Sequence, residues 1–251
     1  MILLALLLRP LTRAAALALL ATLVAGPALA QDVTLDFGEG PTSTGRIVQI
    51  IVMVTVLALA PSILVMVTSF TRIVVVLSFL RTAMGTQSAP PNTVIVSLAL
   101  FLTGFVMAPV LEQVYAGGIR PLIDGEISEQ QAFDVAIVPV REFMLVHVRE
   151  QDLKLFVDMA GSEAQTAEEA PLTALVPAFM ISELRRAFEI GFLIFLPFLV
   201  IDMVVASVLM SMGMMMLPPV MISLPFKLIF FVLVDGWYLV AGSLVESFNP
   251  I

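Results

Sequence analysis

Apolar and polar positions alternate along this chain in blocks rather than residue by residue, and the blocks predict helices. Ile47 to Phe70 runs 24 residues without a charge, and Thr93 to Val110 runs 18. At about 1.5 Å per residue each reaches across a hydrocarbon core of about 30 Å. Two later blocks, Ala187 to Met210 and Val220 to Leu244, are comparably apolar but carry Glu189, Asp202, Lys227 and Asp235. Pro61, Pro109, Pro197 and Pro225 bend or break all four, which a helix in lipid tolerates only where neighbours satisfy the freed carbonyls. The expected fold is an all-α membrane protein: a first membrane hairpin at 47–110, a small helical extracytoplasmic domain at 111–186, and a second membrane hairpin at 187–251.

The stretch between the hairpins has a different pattern. "SEQQAF" reads as a capping box, Ser128 as N-cap and Gln131 three residues on, followed by Phe133, Ile137, Val140, Met144 and His147 at helical spacing. A second amphipathic helix in "EQDLKLFVDMAG" presents Leu153, Phe156, Val157 and Ala160 and stops at Gly161. "GSEAQTAEEAP" up to Pro171 has no apolar period and reads as a mobile acidic linker.

Charge orients these blocks. The connector Thr71 to Asn92 carries Arg72 and Arg81 and no acid, so the positive-inside rule places it in the cytoplasm. The next connector, Leu111 to Arg186, holds thirteen acids against six bases and falls on the outer, periplasmic side. The first thirty residues read as a signal peptide: Arg9 and Arg13, an apolar run from Ala14 to Ala25, then Gly26-Pro27 and "ALA", with cleavage between Ala30 and Gln31. "ILLALLL" before Arg9, where a charged segment belongs, leaves the start codon and the cleavage point open, the alternative being an uncleaved signal anchor. Residues 31–46 would be a flexible mature N-terminus.

Composition then excludes whole classes. The chain has 251 residues, 60% of them hydrophobic and 13% charged, and a mean hydropathy of +1.07, far from ordinary soluble usage. A net charge of -8 with only 12 Lys and Arg argues against nucleic acid as a partner. There is no cysteine and one histidine, His147, on an apolar stripe, where it reads as a packed residue and not a ligand. No phosphate loop, nucleophile with a base partner, or metal constellation is present, so neither a cofactor nor enzymatic activity is expected.

Two features remain to be explained. Ionisable groups at bilayer depth are costly unless paired or wetted. Glu189 and Asp235 are read as interfacial. Asp202 and Lys227, each half-way along its block, call for partners, and Glu183 in "ISELRRAF" is another candidate for Lys227 within one chain or across a subunit contact. "SMGMMMLPPV", Ser211 to Val220, places Met212, Met214, Met215 and Met216 on a non-helical turn between hairpin arms. Methionine is common as packing, but unbranched thioethers repeated around a ring of subunits would make a soft seal.

Two long stretches carry a resemblance. "FTRIVVVLSFLRTAMGTQSAPPNTVIVSLALFLTGFVMAPV" (70–110) and "ELRRAFEIGFLIFLPFLVIDMVVASVLMSMGMMMLPPVMISLPFKLIFFVLVDGW" (183–237) resemble the FliP family, membrane proteins of the flagellar type III export gate. "MGTQSAPPN" (84–92) is closer to the flagellar members than to their injectisome relatives, and nothing is carried over for 124–171. The resemblance implies a homo-oligomeric ring or cone, completed by FliQ and FliR and assembled with help from FliO. Through it unfolded flagellar subunits would leave the cytoplasm across the bacterial inner membrane at the flagellar basal body. It implies that Met214, Met215 and Met216, with Met212 adjacent, line the constriction. It also implies that Glu183 and Lys227 pair between subunits, and that the hairpins are drawn up out of the bilayer plane in the assembly. The rival reading is an ion-coupled secondary transporter with Asp202 and Lys227 as a coupling pair, in helices broken at Pro197 and Pro225. That rival predicts internal repeats, and the two hairpins show none that convinces.

Overall fold

The computed structural model describes residues 43–86, 88–161, 166–214 and 216–249, and every regular element among them is a helix. The chain divides into two compact units, residues 1–55 and 56–251. Helix α1 (Ser43–Val67) opens the described part, and the apolar side chains of its span Ile50–Val67 are nearly all exposed. The signal-peptide reading, with Ala30 and Gln31, lies outside the described residues. Of the expected flexible segment 31–46, the last four residues are already helical.

The second unit is built around α2 (Phe70–Met84). Ile73, Val76, Leu77, Leu80, Ala83 and Met84 recur at helical spacing and are all buried, against α3 (Asn92–Val114) on one side and α7 (Leu172–Ser211) on the other. Gly85, at φ +78°, caps the helix by donating its N–H to the Thr82 carbonyl. This corrects the reading of 71–92 as a loop. Most of it is a core helix: Arg72 is buried inside the protein, and Arg81 lies in the last turn of the same helix, so neither of the two charges that oriented the chain is in a loop.

Helix α3 does not stop at Val110. It continues through a π-helical turn (Tyr115–Ile119) into α4 (Arg120–Ile123), 32 residues of uninterrupted helix from Asn92. Gly118 lies in the π turn because α5 (Glu129–His147) crosses there: a Cβ would sit 2.9 Å from the Ala132 carbonyl oxygen and from the Ala136 methyl. Helix α5 starts from the expected box, Ser128 Oγ accepting from the Gln131 N–H at 3.4 Å and Gln131 Oε1 accepting from the Ser128 N–H at 3.0 Å. Helix α6 (Glu150–Met159) follows, buries Leu153 and ends before Gly161 at φ +60°.

The acidic linker is partly ordered. Ala167–Glu169 forms a 3-10 turn, and the Arg141 guanidinium donates to the carbonyl of Glu168 within it and to that of Ala170 just after it. Residues 162–165 lie outside the described part. Next comes α7, forty residues long, with Pro177 and Pro197 inside it. The boundary at 186/187 therefore falls within one continuous helix: charge density changes there, but backbone structure does not. Helix α8 (Pro219–Leu233) and α9 (Gly236–Glu246) complete the chain, bent by 64° at Asp235, whose φ is +50°.

By length and composition three helices can cross a membrane, within Ile50–Val67, Asn92–Ile123 and Leu172–Ser211, with the bent pair α8 and α9 as a fourth. The protein is an all-α membrane protein. Each span is only slightly covered by the rest of the chain, from 0% for the first to 28% for the second, so lipid or other subunits must cover the remainder.

Candidate functional site: a methionine turn and two internal ion pairs

Helix α7 ends as the sequence leads one to expect. Gly213, at φ +74°, follows Met212, and the backbone closes with the Met214 N–H donating to the Leu209 carbonyl at 3.0 Å. This six-to-one bond is the usual way a helix stops on a glycine. Pro218 and Pro219 then start α8, Pro219 at a position where the missing N–H costs nothing. Met212, Met214 and Met216 are thus on a non-helical turn between two helical arms. Met216 is 98% exposed and Met212 65%, while Met214 is half-buried. Met215 lies outside the described residues. Large apolar side chains held in the open at the tip of an arm have no packing role within this chain.

Beneath the turn the two arms are fastened by a buried charge. Lys227 is 3% exposed, and its Nζ donates to Asp202 Oδ2 at 2.6 Å and to the Ala83 carbonyl at 3.2 Å. Ser223, one turn before Lys227 on the same face of α8, donates its hydroxyl to Asp202 Oδ1 at 2.5 Å. One lysine therefore ties α8 to α7 and to the last turn of α2, where unpaired carbonyls favour a cation.

A second pair holds the opposite end of α2. Arg72 meets Glu183 as a two-pronged fork, Nε to Oε2 at 2.8 Å and Nη2 to Oε1, with both side chains essentially inaccessible. Arg72 Nη1 also donates to the Ser247 carbonyl at 2.9 Å and to its hydroxyl at 3.1 Å, and the guanidinium lies 3.7 Å from the centre of the Phe248 ring. His147 borders this group, its ring 5.4 Å from that of Phe248 and 4.6 Å from that of Phe143, its nitrogens facing the carbonyls of those same two residues. It is a packed histidine.

The structure thus separates residues that the sequence left open for pairing. Lys227 goes to Asp202, and Glu183 goes to Arg72; the Glu183–Lys227 pair is not formed within the chain. Glu189 is exposed and paired with Arg185 at 2.9 Å, and Asp235 is exposed at the bend. Sequence reasoning missed Arg72 by treating it as a loop charge. The available signal was its register: Arg72, Val76 and Leu80 fall on one stripe at i, i+4 and i+8, so a helix over 70–84 buries all three.

A third polar contact anchors α6 to α7. Asp152 accepts from Ser182 Oγ at 2.7 Å and from both prongs of Arg149, at 2.8 and 2.7 Å. Burial alone would raise its carboxyl, but the Ser182 hydroxyl and the Arg149 guanidinium outweigh that and hold it below the ordinary range. Its contribution is therefore complete at neutral pH and is lost as pH falls through the ordinary carboxylate range toward that lowered value. Among the described residues no group of three or more His, Asp or Glu could hold a metal ion.

The model of the FliP family matches residues 53–244, about three quarters of the chain, including the methionine turn and the four residues of both ion pairs. The chain belongs to the FliP family. Among its relatives, the flagellar biosynthetic protein FliP of Caulobacter vibrioides is 60% identical over 245 residues, covering 95% of this chain and 92% of that protein. The flagellar biosynthetic protein FliP of Bacillus subtilis is 56% identical over 209 residues, 83% and 95% of the two chains, and that of Aquifex aeolicus 47% over 220 residues, 86% and 91%. The FliP match ends at 244, so the Ser247 and Phe248 contacts to Arg72 lie just beyond it.

Proposed function

We propose that this FliP-family chain is the pore-forming subunit of a flagellar type III export gate. Several copies surround a channel in the bacterial inner membrane at the flagellar basal body, and unfolded flagellar subunits pass through it. FliQ and FliR complete the gate, and FliO assists assembly with other export-gate proteins. In this reading residues 1–30 direct insertion and are removed between Ala30 and Gln31. Residues 47–110 and 187–251 are the membrane hairpins, and the acidic helical region 111–186 stands on the periplasmic side.

The observation that carries this reading is the exposed methionine turn. Met212, Met214 and Met216 lie between two arms that are fastened to each other and to α2, so the tip is presented by a firm support. Thioether side chains lack branching and adapt their shape, which suits a ring that must exclude ions when closed and accept polypeptides of differing sequence when open. The work is physical rather than covalent, and energy comes from other components. Glu183 and Lys227 act in this reading as anchors within a protomer, since each already has a short contact to a charge of its own chain. The same satisfied geometry counts against Asp202 and Lys227 as an ion-coupling pair, which would have to exchange partners during transport.

The test is the mass of the detergent-extracted complex when the chain is expressed alone and together with FliQ and FliR. A discrete multi-copy ring that takes up both partners is the expected result. A monomer or dimer indifferent to both would overturn the gate reading.

A further inference from the structure

Most charges in the charged stretch of α7 and beside it are held in hydrogen-bonded ion pairs, but two of opposite sign are not. Arg186 and Glu246 line one cavity of about 550 Å³, bordered also by Glu189, Ser247 and Asn249. Glu189 is held by Arg185, and Arg72, which also lines this cavity, is held by Glu183 and Ser247. Neither Arg186 nor Glu246 forms an ion pair or a side-chain hydrogen bond among the described residues.

A groove of about 390 Å³ continues from this cavity, sharing Ile190, Leu193 and Ser247 with it and running on past Ile194, Leu239 and Leu244. The order of residues makes the two spaces consistent. Along α7 the charged residues Arg185, Arg186 and Glu189 give way to an apolar sequence from Ile190 onward, inside a helix long enough to span a membrane. Along α9 the change runs the other way, from Leu239 and Leu244 to Glu246, with Asn249 just past its end. The charged stretch of α7 and the C-terminal end of α9 border the cavity, and the apolar stretches of both border the groove. Leu193 and Leu239 are large apolar side chains more than half exposed along it.

This composite shape is that of an amphiphile. We propose that it binds one zwitterionic amine-bearing phospholipid, its phosphate on Arg186, its ammonium on Glu246 and one acyl chain along the groove between α7 and α9. A guanidinium is a strong phosphate donor, and an unpaired carboxylate one helix away suits an ammonium. A headgroup with a phosphate and no amine would satisfy Arg186 but leave Glu246 without a countercharge, so the two charges together favour the zwitterion. A second copy of the chain would need a matching pair of charges beside an apolar ridge. The lipid brings both features in one molecule, and it is present wherever α7 enters a membrane. The inference does not depend on the export-gate reading.

The full chain, reconstituted into vesicles of equal phosphatidylethanolamine and phosphatidylglycerol and extracted in mild detergent, can be weighed by native mass spectrometry with its retained lipid. Wild type is expected to keep phosphatidylethanolamine in preference. Arg186→Gln should retain about ten-fold less of both lipids, the scale of one lost charge-assisted hydrogen bond. Glu246→Gln should erase the preference while keeping total retention, a ratio that does not depend on protein yield. Leu193→Trp, which fills the groove, should reduce both lipids with helix content unchanged by circular dichroism. Equal retention of the two lipids by wild type, or unchanged retention in the variants, overturns the proposal. So does a shift in subunit mass with Leu193→Trp and none in lipid, which would assign the groove to a second copy.

Discussion

The two ends of α7 belong to one continuous helix and are opposite in construction. Near Glu183 the helix lies in a packed interior, with Ala178, Phe179 and Ser182 inaccessible and the carboxylate locked to Arg72. Toward Ser211 the same helix carries Met203, Val204, Val208 and Met210 in the open and ends on exposed methionines. Charge separates them, with Glu183, Arg185, Arg186 and Glu189 on one side against Asp202 alone on the other, and so do their partners. The inner end has α2, α5 and α6 against it, whereas the outer part packs on α8 and, through Phe198, on the last turns of α2, and is fastened by one lysine. The inner end is therefore built for stability within the protomer, and the outer end waits for lipid, other subunits or a passing chain.

The strongest way to test that contrast is to remove Arg72. Arg72→Met leaves Glu183 charged and fully buried without a partner, which costs about 3–5 kcal/mol. The expected outcome is loss of folded, membrane-extractable protein, with Arg72→Met combined with Glu183→Leu recovering most of it, as read from thermal melting in detergent. Lys227→Met should cost less, about 1–3 kcal/mol, because the Asp202 side chain is 29% exposed and keeps the Ser223 hydroxyl. It should loosen the α8 arm and leave the region around Arg72 unchanged, which hydrogen exchange resolves arm by arm. Gly213→Ala places a Cβ on a residue at φ +74° in open space, so only backbone strain of about 1 kcal/mol is expected. Melting should barely move, while the methionine turn changes its exchange rate. Ser69→Ala should be nearly neutral or slightly stabilising, since Ser69 Oγ is buried and has no hydrogen-bond partner among the described residues.

Helix positions were legible because apolar runs and caps are local signals: Ser128 with Gln131, the stop at Gly161 and the break at Gly213 all depend on neighbours in sequence. The methionine turn was legible for the same reason. What the sequence did not reveal is what depends on distant partners. Whether Arg72 is a loop charge or a core charge depends on Glu183, more than a hundred residues away, and on the extreme C-terminal residues. Likewise the change in charge at 186/187 looks like a domain edge, yet one helix runs through it, because helix continuity is set by backbone bonding and not by polarity.

The claim that the methionine turn seals a gate is tested most directly by ion conductance. Membranes carrying the assembled complex would be compared for wild type and for a chain with Met212, Met214, Met215 and Met216 all replaced by Ala. The account predicts an assembly of unchanged mass whose small-ion leak rises well above that of wild type. Equal conductance with the assembly intact would contradict it and place the seal elsewhere.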